Sequence, residues 1–400
     1  MAMSDDIVSE ALYDERLLKP YSLPDLLPEA TKGAFADGKV LAAAQDRWRA
    51  ELADTLYGRI PAAPGHVEVK RQRLEGESAE LLSIKMVSGP KLLEQKAALW
   101  LPKSRSGRVP LILGLDFLGP AGILFSESYP LDEDAIIGPR PVVGVLDGHL
   151  NPVVRGATGY RWPIEMFLNA GYAVMVSCYG SWVPDDPAAW RTRGVFPFTD
   201  DDQRAETRAF SLWAWSIMRM IDAAQLLPEI DDGNITVAGH SRLGKTALWA
   251  AANDERISAV FASCSGCAGA GLMRHAIGET LTLMERRFPQ WTLPGSAQLD
   301  WEALGIDQHQ LLACIAPRLV YLSGATDDLW SNPKGCYQGL RAAAPAWMVD
   351  SSLLPEADST WAPSSVHAGP LGWHLRVGGH EMLPYDWQLF LKFLSDRQAS

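Results

Sequence analysis

The clearest pattern along the chain is a series of short, almost uninterrupted apolar runs. These are VPLILGLDF (109–117), YAVMVSCYG (172–180), ITVAGH (235–240), ISAVFASCS (257–265) and RLVYLSGA (318–325). Runs of this length without polar alternation suit strands buried on both faces, as in a parallel sheet. Ahead of them, within residues 66–103, HVEVKRQRL, ELLSIKMV and AALWLP alternate polar and apolar positions and read as antiparallel strands. Helical stretches fall at 40–57, ended by Gly58 and Pro61, at 205–227, stopped by Pro228, at 243–252 and at 386–396. Antiparallel strands followed by alternating strand and helix predict the α/β class, with a mixed, mostly parallel sheet in a single domain over residues 1–400. In that reading residues 1–56 are an N-terminal extension and helix. Residues 118–170 and 270–308 are rich in Gly, Pro and Trp without a regular period, and are expected to be substrate-facing loops.

Composition narrows the partners. A net charge of −12 argues against nucleic acid or an anionic membrane as the main partner. Fifteen tryptophans favour a carbohydrate ligand slightly, because aromatic faces stack on sugar rings, although core packing accounts for most of them. The five cysteines, Cys178, Cys264, Cys267, Cys314 and Cys336, have no repeating spacing and form no disulfide framework. Cys264 and Cys267 have the spacing of half a zinc site, but no second pair or histidine cluster completes it, so no metal is expected. The opening MAMSDDIVSEALYDERLLKP has neither a basic start nor an apolar core, so no signal peptide is expected in this chain. No segment is long and apolar enough to span a membrane.

Candidate chemistry gathers at VAGHSRLGKTALWAA, residues 237–251. A strand, then His240-Ser241-Arg242, then a helix is the context of a nucleophile elbow. Gly239 fills the position two before the serine, but two after it stands Leu243, and the next glycine is Gly244. Taken alone, Ser241 reads equally as a nucleophile or as a helix N-cap. A serine nucleophile needs a base and a carboxylate that orients the base. In the hydrolase order of serine, acid, histidine, LSGATDDLWSNP offers Asp327 and Asp328 after a strand, and LRVGGHEMLPYDW offers His380 on a Gly-rich loop. The other downstream histidines, His275, His309, His367 and His374, are weaker candidates, with His309 in a helical pattern and His374 in a strand pattern. Arg242 and Lys245 would add positive field at the start of the helix, where an oxyanion develops.

These segments carry a family resemblance. GHSRLGKTALW, DERISAVFASCSGCAGAGLMR, IDQHQLLACIAPRLVYLSGATDDLWSNPKG and GWHLRVGGHEMLPYDW resemble the bacterial glucuronoyl esterases of carbohydrate esterase family 15. The similarity runs from LYGRIP, near residue 57, through RWP at 161–163 to the C-terminus. It implies an α/β-hydrolase fold, a three-layer α/β/α sandwich. It also implies a serine esterase, without cofactor, that cleaves the ester between 4-O-methyl-D-glucuronate of glucuronoxylan and lignin alcohols. Carried over residue by residue, Ser241 is the nucleophile, His380 the base and Arg242 the oxyanion donor. Lys245 and Glu279 would bind sugar hydroxyls, and Trp330 would lie against the glucuronate ring. Some family members place a catalytic glutamate where this chain has Cys264, and a thiol cannot serve in that way. The D-x-W pattern then selects Asp328, whereas the generic hydrolase spacing from Gly324 selects Asp327.

The reaction expected is acyl transfer through Ser241, with Arg242 and amides near Gly119 holding the oxyanion. An acetyl-xylan or other carbohydrate esterase with the same triad is the alternative, and a non-catalytic carbohydrate-binding protein a further one. Expected partners are a glucuronoxylan or lignin–carbohydrate ester, with no nucleic acid and no membrane, and a monomeric state. Secretion or periplasmic location follows from the family alone. The segments FLGPAGILFSESYP, 180–204 and FPQWTLPGSAQLDWEALGIDQH depart from the family pattern.

Overall fold

The computed structural model describes residues 10–26, 38–138, 142–357 and 362–398. The first nine of the twenty residues on which the signal-peptide expectation falls lie outside it, as do other parts of the N-terminal extension. The chain organises into two compact units. One holds Arg59–Ala238 and Arg256–Ser258, and the other holds the described residues of Ser4–Gly58, Gly239–Glu255 and Ala259–Ser400. Helix α1 (Gly38–Leu52), in the second unit, gives way at Ala53–Tyr57 to a π-helical turn where the periodicity predicts α-helix. The wider turn delivers the Tyr57 ring onto Trp249, with centroids 4.5 Å apart, and lets its hydroxyl reach Gln308 Oε1 at 2.8 Å. Gly58, at φ +72°, ends the segment in a conformation that a side chain would resist.

The first unit begins with a meander of β1 (His66–Arg73), β2 (Ala79–Ser88) and β3 (Lys91–Trp100), paired antiparallel in sequence. β4 (Val109–Asp116) and β5 (Ala173–Cys178) follow, with β5 antiparallel to β3 and parallel to β4. The strand order is β1-β2-β3-β5-β4-β6, where β6 (Ile230–His240) runs parallel to β4. The wholly buried β5 matches its pattern in the sequence, whereas β1 holds no buried residue and is exposed or half-exposed throughout in place of the expected alternation. Helix α2 (Ala209–Gln225) is buried on almost every side and packs on β1 and β4. It starts four residues later than the pattern predicts, because Arg208 is extended and its guanidinium bonds the carbonyl oxygens of Ala205 and Thr207. Within 118–170 the regular structure is short: Gly119–Ile123, Ile164–Asn169 and a ribbon of Val145–Leu146 with His149–Leu150.

In the second unit, β7 (Ile257–Ser263), β8 (Leu319–Ala325) and β10 (Leu371–Arg376) pair in parallel, and β9 (Ser364–Ala368) adds an antiparallel edge to β10. The edge strand is absent from the sequence reading, since SSVHA has little apolar signal. Helices α3 (Arg242–Asn253), α4 (Leu281–Arg287), α5 (Gln308–Ala313), α6 (Pro333–Ala343) and α7 (Pro384–Gln398) complete the unit. The pattern predicts no helix at α6, where Gly335 and Gly339 lower the propensity. Gly339 is there for contact: a Cβ on it would stand 2.5 Å from the Ala270 carbonyl oxygen.

Candidate active site

Ser241 lies at the sharp turn between β6 and α3. Its backbone has φ 58° and ψ −127°, a conformation that costs an L-residue on the order of 1–3 kcal/mol. The turn is tight enough that a Cβ on Gly239 would stand 2.1 Å from the Leu243 carbonyl oxygen. At Gly244 the added atom would stand 3.1 Å from the nearest neighbour, so the close approach that needs glycine is at position 239. The turn is held by the Ser241 amide donating to Ser263 O at 2.8 Å, and by Gly244 N and Lys245 N donating to Ser241 O. Ser241 makes no side-chain cap bond to the helix. Its Oγ instead meets His380 Nε2 at 2.8 Å, which answers the N-cap alternative.

The other imidazole nitrogen of His380, Nδ1, lies 2.7 Å from Asp328 Oδ2. Asp328 follows β8 and is 3 % exposed, and it also accepts a hydrogen bond from the Ser331 hydroxyl. Burial alone would raise its pKa. The hydrogen bond and charge of His380, with bonds from Ser331 and Cys264, prevail and hold the carboxyl below its ordinary value. Burial pushes the Cys264 thiol well up, so it stays a protonated donor toward that carboxylate. Asp327 is exposed, and its carboxylate accepts from Thr326 Oγ1 at 3.0 Å. The oxygen and nitrogen atoms of Asp328, His380 and Ser241 thus form one chain, and Asp327 stands outside it. The Sγ, carboxylate and imidazole atoms of Cys264, Asp328 and His380 lie within 4.8 Å of one another, a grouping that this hydrogen bonding already accounts for.

The loop carrying His380 is clamped from beneath. Arg376, at the end of β10, donates to Asp386 Oδ1 at 3.1 Å, to Gly379 O at 2.9 Å, to Val377 O at 3.2 Å and to Glu381 O. Asp386, fully buried at the start of α7, also accepts from Leu383 N at 2.7 Å and meets His374 Nε2 at 2.7 Å. His374 Nδ1 in turn lies 3.0 Å from the Tyr321 hydroxyl. His374 is therefore part of the scaffold, and His309, which bonds Pro24 O, is another structural histidine. No spacing rule in the sequence signals the Arg376–Asp386 clamp. The pair is ten residues apart and meets only when strand and helix fold back.

Arg242 is 1 % exposed, and its guanidinium sits 4.4 Å from the Trp291 ring centroid and 5.0 Å from that of Phe288. These rings stack 3.8 Å apart and come from the FPQW segment, which the sequence marks only as a departure from the family. Lys245 and Glu279, both expected at sugar hydroxyls, bind each other at 2.7 Å, with the ammonium also donating to Cys267 O at 2.5 Å. Trp330, partly exposed, accepts a bond from the Glu279 amide through its carbonyl oxygen at 2.9 Å. All of these side chains belong to the second unit.

Known proteins share this arrangement of chain. A model of the glucuronyl esterase family of fungi matches residues 152–349. A carbohydrate esterase of an unknown prokaryotic organism is 30 % identical, over 95 % of this chain and 90 % of its own length. Among solved structures, a promiscuous family 15 esterase from a marine bacterial metagenome has a TM-score of 0.81 at 28 % identity, covering 96 % of this chain and 98 % of that one. A glucuronoyl esterase from Solibacter usitatus gives 0.79 at 27 % identity, covering 95 % and 98 %.

Proposed function

The chain belongs to carbohydrate esterase family 15, the glucuronoyl esterases, and on that footing we propose that Ser241, His380 and Asp328 hydrolyse D-glucuronate esters through an acyl-enzyme. It is a carboxylic ester hydrolase with an α/β-hydrolase fold built on a mixed sheet. The single observation that carries the residue assignment is the unbroken chain from Asp328 through His380 to a strained, uncapped Ser241. Asp328 holds the imidazole in the tautomer that leaves Nε2 free to take the Ser241 proton. Oγ then attacks the C6 carbonyl of the ester. Arg242, fixed by two aromatic rings, supplies positive charge where the oxyanion forms, and His380 returns the proton to the departing alcohol. Water repeats the sequence and frees the acid.

Lys245, Glu279 and Trp330 are proposed to line the sugar position. Lys245 gives one proton to Glu279 and one to Cys267 O, which leaves its third proton and the other Glu279 oxygen for hydroxyl groups. The substrate proposed is an ester of glucuronoxylan, since a curated relative from Hypocrea jecorina, matched over 35 % of this chain, is named a 4-O-methyl-glucuronoyl methylesterase. We read the chain as one monomeric catalytic domain, because two of its crossings between the units, at Ala238–Gly239 and Ser258–Ala259, fall inside β6 and β7. A polymeric substrate implies action outside the cell. Among the described residues no helix is long and apolar enough to cross a membrane.

The test compares benzyl and methyl D-glucuronate esters with p-nitrophenyl acetate, using the wild type and Ser241→Ala. Turnover of the uronate esters that disappears in the variant is the expected result. Turnover of the acetate alone would redirect the reading to a general carbohydrate esterase, and turnover of neither would leave a sugar-binding protein.

A further inference from the structure

We propose that His275 is a positioning residue for the sugar side of the site, fixing the segment that carries Glu279 against the turn that carries Trp330. This rests on the esterase reading above and deepens it. In the sequence His275 is one of the weaker histidines for the base, a place that His380 takes. Yet its side chain is 3 % exposed, in the second unit, and bonded on both sides of a join between two functional segments.

The join is reciprocal. Asn332 Nδ2 donates to the His275 carbonyl oxygen at 2.6 Å, so the Asn332 side-chain oxygen is the acceptor that meets His275 Nδ1 at 2.7 Å. Nδ1 therefore carries the proton. Burial, the largest influence, pushes the His275 pKa down, which leaves the ring neutral at pH 7 and above. Asn332 is also 3 % exposed, at φ 50°, and its Oδ1 accepts from Gly335 N at 3.0 Å, so the start of α6 holds it in place. The pair thus ties a residue four before Glu279 to a residue two after Trp330.

Beyond this join the two segments meet through their backbones. Glu279 N donates to Trp330 O at 2.9 Å, and a Cβ on Gly278, at φ +67°, would stand 2.3 Å from the Leu329 carbonyl oxygen. The N-terminal segment adds a brace. Leu12 O accepts from Gly278 N at 2.8 Å, the Tyr21 ring meets the His275 ring edge-on at 5.9 Å, and Glu15 pairs with Lys334 Nζ at 2.5 Å. Asp328 has its own partners in His380 and the Ser331 hydroxyl. Loosening the join therefore displaces the sugar contacts and leaves the proton relay in place.

Steady-state hydrolysis of methyl D-glucuronate by the full chain tests this, with a melting curve for each variant. His275→Ala should raise KM about tenfold, the size of one hydrogen bond to a charged group, and change kcat by no more than a few-fold. His275→Asn, whose amide nitrogen can stand where Nδ1 stands, should recover most of that loss. Gly278→Ala, which wedges the two backbones apart, should raise KM in the same way and decides the matter if His275→Ala does not fold. A folded His275→Ala protein with the wild-type KM, a fall in kcat as large as the rise in KM, or no recovery in folded His275→Asn would each overturn the proposal. Trp330→Ala reports separately on the sugar reading. A raised KM there without a His275 effect sinks only the positioning role, whereas an unchanged KM removes Trp330 from the sugar position and this role with it. Absence of uronate turnover in the wild type would overturn both.

Discussion

At the scale of single residues, the site separates two adjacent aspartates by burial. Asp328 is enclosed and bonded to His380, whereas Asp327 faces solvent. Asp328→Asn should reduce kcat by roughly three to four orders of magnitude, since an amide stabilises the wrong imidazole tautomer. Asp327→Asn should change kcat by no more than a few-fold. Steady-state rates on methyl D-glucuronate decide between them, and equal losses would place the orienting carboxylate elsewhere. Arg242→Ala removes the charge at the oxyanion and should lower kcat by about a hundredfold or more with little effect on KM. A variant that raised KM at constant kcat would make Arg242 a ground-state binder instead. Because Arg242 also anchors against Phe288 and Trp291, its melting curve should be recorded alongside.

At the scale of elements, β10 and α7 act together on the loop between them. Arg376 ties three loop carbonyl groups to Asp386, and Asp386 ties the Leu383 amide at the far side. The imidazole of His380 is a quarter exposed, so it depends on this backbone anchoring more than on packing of its own ring. Arg376→Gln should lower kcat roughly tenfold to a hundredfold, the penalty typical of a misplaced catalytic group, with a smaller change in KM. Arg376→Lys, which can keep one bond to Asp386, should recover part of the loss. A fall in melting temperature at unchanged kcat would reduce the clamp to a stabilising feature.

At the scale of the whole molecule, the carboxyl of Asp132 sets a pH dependence of stability. In the first unit Asp132 is 4 % exposed, and burial pushes its pKa from 3.8 up to about 7, with Lys96 opposing. The folded protein therefore holds this proton more tightly than the unfolded chain. The resulting stabilisation is fully present below the unfolded value and is lost as pH rises through about 7. Asp132→Asn, which cannot ionise, should have little effect near pH 4 and raise the melting temperature progressively toward pH 8. The gain at the upper end is on the order of a few kcal/mol. A gain independent of pH would show that packing, not ionisation, governs the position.

The apolar runs at 109–117, 172–180, 235–240, 257–265 and 318–325 determined by themselves where the central strands lie, because burial on both faces leaves no room for polar alternation. The strand–turn–helix around Ser241 was equally legible, since Gly239 and the helix start are local features. Elements with weak local signals were not. The edge strand at Ser364–Ala368 draws on pairing with β10, and α6 carries two glycines that only contacts explain. Whether Asp327 or Asp328 meets His380 was open in the sequence, because consecutive residues leave a turn in different directions and only the fold says which one points inward. The pairing of Lys245 with Glu279, the aromatic seat under Arg242 and the Arg376–Asp386 clamp were decided by tertiary structure alone. Each joins side chains whose separation along the chain carries no information about their distance in space.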